Sequence, residues 1–146
     1  ILALLNSTLM KFWYDMTVQE PGKTFAEVKI VYLERLPVIS LGTDCKKLVL
    51  YLLLLNDSGS EYFQFITRLI DAIVYELYLP EEIKAGGAEV LKHLGNLPEL
   101  KEGQDDKNLK TIEKVYKELS DPKHPISGAL LKLLNIEEVN IIEGRV

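Results

Sequence analysis

The sequence predicts a mostly α protein, a helical bundle-like domain with at most a short strand segment near residues 25–32. Three observations carry this expectation. Apolar residues recur at spacings of three and four in several separate stretches, the period of one helix face. Proline and glycine fall mainly between those stretches, where turns belong. The composition, 47% hydrophobic and 27% charged over 146 residues, is that of one ordinary globular domain able to bury roughly 70% of its unfolded surface.

The elements follow in order. The opening "ILALLNSTLMKFWYDM" places Leu2, Leu5, Leu9, Phe12 and Met16 at helical spacing from the first residue. The helix lacks the capping residue that usually precedes such a stripe, so the chain reads as a piece of a longer protein. Pro21-Gly22 marks a turn. The stretch from Phe25 to Tyr32 alternates in part and is rich in Val and Ile, the pattern of a short strand. A second helix is expected over about Asp44 to Leu55. Ser58 and Glu61 have the spacing of a capping box, opening a helix whose stripe is Tyr62, Ile66, Leu69, Ile73 and Leu77, widened by Phe63, Ile70 and Val74.

Pro80 with Glu81 and Glu82 opens the next helix, because proline suits its first position and acids its positive end. It is expected to run to about Leu94 and stop at Gly95, with a kink or close contact at Gly86-Gly87. Asn108 to Leu119 forms an amphipathic helix through Leu109, Ile112, Tyr116 and Leu119. Pro125 opens a last helix that ends near Leu134 and Asn135, and "VNIIEGRV" reads as an extended tail. Ile142-Glu143-Gly144-Arg145 also occurs as a protease-cleavage linker, yet it runs on from "EEVN" and reads as native sequence. The polar loop near 95–105 divides the chain best. The expected organisation is 1–40 as the truncated end of one module, 41–95 as a central helical group, and 96–146 as a C-terminal helical pair with its tail.

Composition excludes several function classes. The net charge is −5, and the segments 1–40, 41–104 and 105–146 carry 0, −4 and −1. Non-specific nucleic-acid binding comes mainly from Lys and Arg on phosphates, so bulk charge does not favour it and only a local patch would. Cys45 is the only cysteine, which excludes an internal disulfide and fits a reducing compartment such as the cytoplasm. "LVLYLLLL" falls far short of the ~20 residues that cross a bilayer, so no membrane partner is expected.

Chemical motifs are scarce. Gly86-Gly87 lacks the spacing of a phosphate loop. His93 and His124 have no cysteine or carboxylate at metal-ligand spacing. Cys45 has no neighbouring histidine and reads as core. Glu81-Glu82 and Asp105-Asp106 read as helix starts rather than as a catalytic pair. The clusters Phe12-Trp13-Tyr14 and Tyr62-Phe63-Phe65 read as packing before base stacking.

Two stretches add a resemblance. "ILALLNSTLMKFWY" resembles the Leu-Asn-Ser helix in the C-terminal specificity region of TaqI-like restriction and modification enzymes. "FAEVKIVYLERLPV" resembles the segment that follows it there, running into Leu36-Pro37. "YELYLPEEIKAGGAEVLKHLG" and "VYKELSDPKHPISGALLKLLNIEEVNIIEG" look like the tails of type IIG-like adenine-specific DNA methyltransferases, often fused to a nuclease. The resemblance implies a parent enzyme that binds S-adenosylmethionine through a glycine-containing loop, carries an Asn/Asp-Pro-Pro-Tyr/Phe motif, and flips its target adenine out of the duplex. Neither motif occurs in these residues. The resemblance therefore implies a non-catalytic C-terminal fragment, with no cofactor of its own, that supports DNA target recognition. Its implied partners are duplex DNA through the parent enzyme and the upstream methyltransferase domain.

On that reading the residues expected to touch DNA are Lys11, Lys23, Lys29 and Arg35, with Asn6 and Ser7 after them. Lys23 follows the Pro-Gly turn, where a loop reaches phosphates or base edges. The plainer alternatives are solvated charge for each Lys and Arg, and helix packing or capping for Asn6-Ser7. The rival function is a helical interaction or oligomerisation module, self-associating through the apolar faces at 48–55 and 62–77. A small self-contained enzyme is the third class.

Overall fold

The computed structural model describes residues 1–17, 38–56 and 59–145. Among them are eight α-helices and no strand. They are α1 (Leu2–Leu5), α2 (Thr8–Thr17), α3 (Gly42–Leu55), α4 (Glu61–Tyr78), α5 (Pro80–Ala85), α6 (Asp105–Leu119), α7 (Pro125–Lys132) and α8 (Glu137–Ile142). Two 3₁₀ turns, Leu91–His93 and Leu133–Asn135, follow α5 and α7. The mostly α, bundle-like fold is as the sequence predicts. The strand expected at 25–32 lies outside the described residues.

The centre of the bundle is α4. Its residues from Leu69 to Tyr75 are all buried, and it packs against α2, α3, α5, α6 and α7. Its start is capped by Ser60, whose side chain accepts from the Phe63 N–H at 3.2 Å. The expected capping box on Ser58 and Glu61 is thus corrected to Ser60. Gly59 takes a positive φ of 64° just before it, which keeps the chain out of helix there. Ser58 itself lies outside the described residues.

One apolar cluster runs from Cys45 on α3 to Val139 on α8. It crosses the 95–105 loop, where Leu97 is buried and Leu100 packs against the cluster. That loop is tied down by polar bonds. Lys47 Nζ donates to the Leu97 carbonyl at 2.9 Å, and the Tyr51 hydroxyl donates to the Pro98 carbonyl. Asn108 pairs with the Lys101 backbone on both sides, accepting at 2.9 Å and donating at 2.8 Å. Buried backbone polar groups need such partners, which is why a loop with few apolar residues stays against the core.

Four helix expectations are corrected. The opening helix breaks at Asn6-Ser7, and the new start resets the phase. Leu4, Ser7 and Met10 turn inward, while Leu2, Leu5 and Met16 are exposed. The helix opened by Pro80 ends at Ala85, not Leu94, because Gly87 takes a φ of 66° and the chain turns. In α6 the buried line is Asn108, Ile112, Val115 and Leu119, and Leu109 faces out. The tail is helical: Glu137 and Glu138 occupy the first turn of α8 and Val139 is buried, so dipole and packing override the strand preference of Val and Ile.

The expected close contact at the double glycine is present. A Cβ on Gly86 would lie 2.8 Å from Cγ1 and Cδ1 of Ile136, itself in the core. Gly86→Ala is expected to destabilise the protein by about 1–2 kcal/mol through overpacking. Urea unfolding checks this as a lower midpoint at unchanged slope.

Candidate nucleic-acid interface

The segment that resembles a specificity helix is built around a double cap. The Asn6 amide donates to the Leu2 carbonyl at 3.1 Å and closes α1. The Ser7 hydroxyl donates to the Leu4 carbonyl at 2.7 Å and accepts from the Met10 N–H at 3.3 Å, which opens α2. Ser7 is only 2% exposed. Its hydroxyl is therefore spent inside the fold, in the capping role expected of such a residue. Asn6 and Lys11 are exposed. Lys23, Lys29 and Arg35 lie outside the described residues; of the described three, Asn6 and Lys11 reach the surface and Ser7 does not.

A second residue holds α2 from far along the chain. Asp71, in the middle of α4 and 7% exposed, accepts from the Thr8 N–H at 2.9 Å and from the Thr8 hydroxyl at 2.6 Å. The carboxylate serves as a remote cap, placing negative charge at the positive end of α2. The sequence reading passed over Asp71. Its signal was there: an acid inside the apolar run Leu69-Ile70-Asp71-Ala72-Ile73-Val74 needs a specific partner.

Further along the same face of α4, Glu143 gathers three donors. Its carboxylate accepts from Arg68, from Arg145, and from the Tyr75 hydroxyl at 2.9 Å. Arg145 also donates to Asn140 from Nε at 3.1 Å and from Nη2 at 2.8 Å. The stretch Ile142-Glu143-Gly144-Arg145 is thereby part of the fold. Arg68, Asp71 and Tyr75 recur at i, i+3 and i+7, so one stripe of α4 holds both α2 and the turn that carries Glu143. Burial pushes the Tyr75 hydroxyl well above the ordinary tyrosine range, with the Asp71 charge adding to the rise.

Several residues singled out in the sequence serve packing or capping. The His124 Nδ1 accepts from the Ile126 N–H at 3.2 Å and caps α7. Tyr116 packs on Tyr62 and Phe65, with ring centroids 4.8 and 5.4 Å away, joining α6 to α4. Cys45 is buried, and burial pushes its thiol up to about 11. It is expected to ignore a disulfide reagent at pH 8 and to react once the chain is unfolded, as thiol titration with and without denaturant would read, because only the thiolate attacks.

A groove of about 410 Å³ opens between α1, α3 and α4, lined chiefly by Leu2, Val49, Leu52, Leu53 and Phe63. Of its lining residues, Leu53 on α3 and Leu2 on α1 are exposed. The space over the double glycine Gly86-Gly87 is occupied. Ile136 fills the space above Gly86 and Lys132 lies over Gly87. Among the described residues no group of His, Cys, Asp and Glu is arranged to hold a metal, and no helix is long and apolar enough to cross a membrane. No family model matches the chain, and neither a curated protein nor a solved structure matches it.

Proposed function

We propose that this chain is a non-catalytic C-terminal part of a DNA restriction-modification enzyme, an adenine-specific methyltransferase of the TaqI-like or type IIG kind. It acts by bracing the end of the target-recognition module. The observation that carries this reading is the hold of Asp71 on Thr8. Asp71 anchors the start of α2, just past the break at Asn6-Ser7, and Asn6 and Lys11 remain on the surface. A recognition element needs rigid support from packing and hydrogen bonds behind it. The parent would supply the S-adenosylmethionine site and the methyl-transfer residues; this chain would supply orientation.

Fluorescence anisotropy with labelled duplex DNA tests the reading. Binding that weakens steeply as salt rises is expected, because phosphate contacts release counterions. A flat, undetectable response at low salt would contradict it.

A second reading is favoured by the exposed leucines beside the apolar groove. Leu53 is 60% exposed and Leu2 51%, and contiguous apolar surface marks interaction sites. On this reading the chain is an interaction or self-association module without a nucleic-acid role. Sedimentation over a dilution series distinguishes it: a mass that falls with dilution, with no salt-sensitive duplex binding, is its signature.

A further inference from the structure

The first two helices bury little. Leu4 is the buried residue of α1 and Met10 that of α2, whereas α4 buries eight residues. Leu4 and Met10 stand apart from the main core. They pack with Val74 of α4 in a separate cluster, bridged to the main one by the half-buried Leu9 and Leu41. Grooves also flank α1 on two sides. One, of about 410 Å³, lies toward α4. The other, of about 590 Å³, is lined by Ile1, Ile39, Leu41 and Cys45 among others. Leu2 and Ala3 of α1 and Val49 of α3 line both, so the apolar contact between α1 and α3 is narrow.

We infer that α1 and α2 form a strap that opens from α3, α4 and α8 as one unit, with Thr8 and Asp71 as its latch. Elements with few buried apolar contacts open at lower free energy than the core, and do so in cooperative pieces. The unit is defined by its own bonds. Ser7 donates to the Leu4 carbonyl of α1 and accepts from the Met10 N–H of α2, which couples the two helices. Neither is long enough to persist once released. The latch sits at their junction, where the Thr8 N–H and hydroxyl both donate to Asp71. Opening bares Asp71 and Val74 on α4 and merges the two grooves into one apolar trough beside Val49. Asn6 and Lys11 lie on the strap, so their position is set by whether the latch is closed. The strap is a property of the packing and does not depend on what the chain binds.

Amide hydrogen exchange, followed residue by residue across low urea concentrations, tests the strap in the wild-type chain and in Ile112→Val. The Thr8 N–H reports the latch directly, and the N–H groups of Asn6 and Lys11, bonded to the Leu2 and Ser7 carbonyls, report the two helices. In the wild type these three are expected to converge on one opening reaction. It should have a smaller urea slope than that of α4 and α6, and exchange at least about tenfold faster. Ile112 is buried on α6 in the main cluster, away from the strap's own contacts. Its loss of one methylene should speed exchange in α4 and α6 about fivefold and leave α1 and α2 unchanged. Strap amides that share the slope and rate of α4, or that speed up with it in Ile112→Val, would overturn the strap. Exchange that differs from residue to residue with no urea slope would overturn it as well, in favour of simple fraying.

Discussion

Replacing Asp71 with alanine is expected to destabilise the protein by about 3 kcal/mol and to release α2 from the central helix. Two bonds to one charged carboxylate are lost, at about 1.5–3 kcal/mol for a bond to a charged group. The Thr8 N–H loses its acceptor while the Thr8 hydroxyl keeps the Tyr75 hydroxyl beside it, which holds the total near the lower end of that sum. Asp71→Asn keeps the shape and one acceptor oxygen, so it should cost about half as much. Urea unfolding gives the total. Amide exchange gives the location: α2 should lose protection well before α4 and α6, as a locally opened unit does. Equal loss across all three helices would mean that Asp71 serves the whole core and not the anchoring of α2.

Glu143→Ala is expected to cost about 2–3 kcal/mol. The Tyr75 hydroxyl belongs to a fully buried side chain, and Glu143 is the acceptor it donates to. Arg68 and Arg145 lose the same carboxylate. Their guanidinium groups reach water, so most of the cost comes from the stranded tyrosine hydroxyl. A cycle with Tyr75→Phe isolates that share: once the hydroxyl is gone, Glu143→Ala should cost at least 1 kcal/mol less, the non-additivity expected of residues in contact. Additive effects would show that the two do not act as a pair.

These two carboxylates make α4 more than the hydrophobic axis of the bundle. Arg68, Asp71 and Tyr75 lie along one stripe of it, and through them α2 and the turn at Glu143 and Arg145 meet the same element. Held in this way, α2 has a defined orientation on α4.

Much of this architecture is legible in the sequence. The stripe from Ile66 to Leu77 marks α4 because its period is unbroken, and Pro80 and Pro125 mark helix starts because proline lacks the donor those positions do not need. Gly86 is legible as a close contact, since a glycine in a helical pattern asks for a reason. What stays hidden depends on tertiary partners. The phase of the opening helix changes at Ser7, a residue whose capping bond to Met10 is local but whose burial comes from α4. The tail's helix is decided by packing of Val139 rather than by the strand preference of its Val and Ile residues. Asp71 and Thr8 are 63 positions apart, and no periodicity links them. For the candidate site, Asn6, Ser7 and Lys11 are legible as a group because they are neighbours. Even so, the inward turn of Ser7 shows only in the fold.

The central claim, that this chain is the recognition-bracing end of an adenine methyltransferase, is tested most directly by reading the gene upstream of the codon for Ile1. The account predicts, in the same reading frame, a glycine-containing cofactor loop followed by an Asn/Asp-Pro-Pro-Tyr/Phe motif. A start codon immediately before Ile1, or an unrelated domain in that frame, would contradict it and turn attention to the exposed leucines of α1 and α3 as an interaction surface.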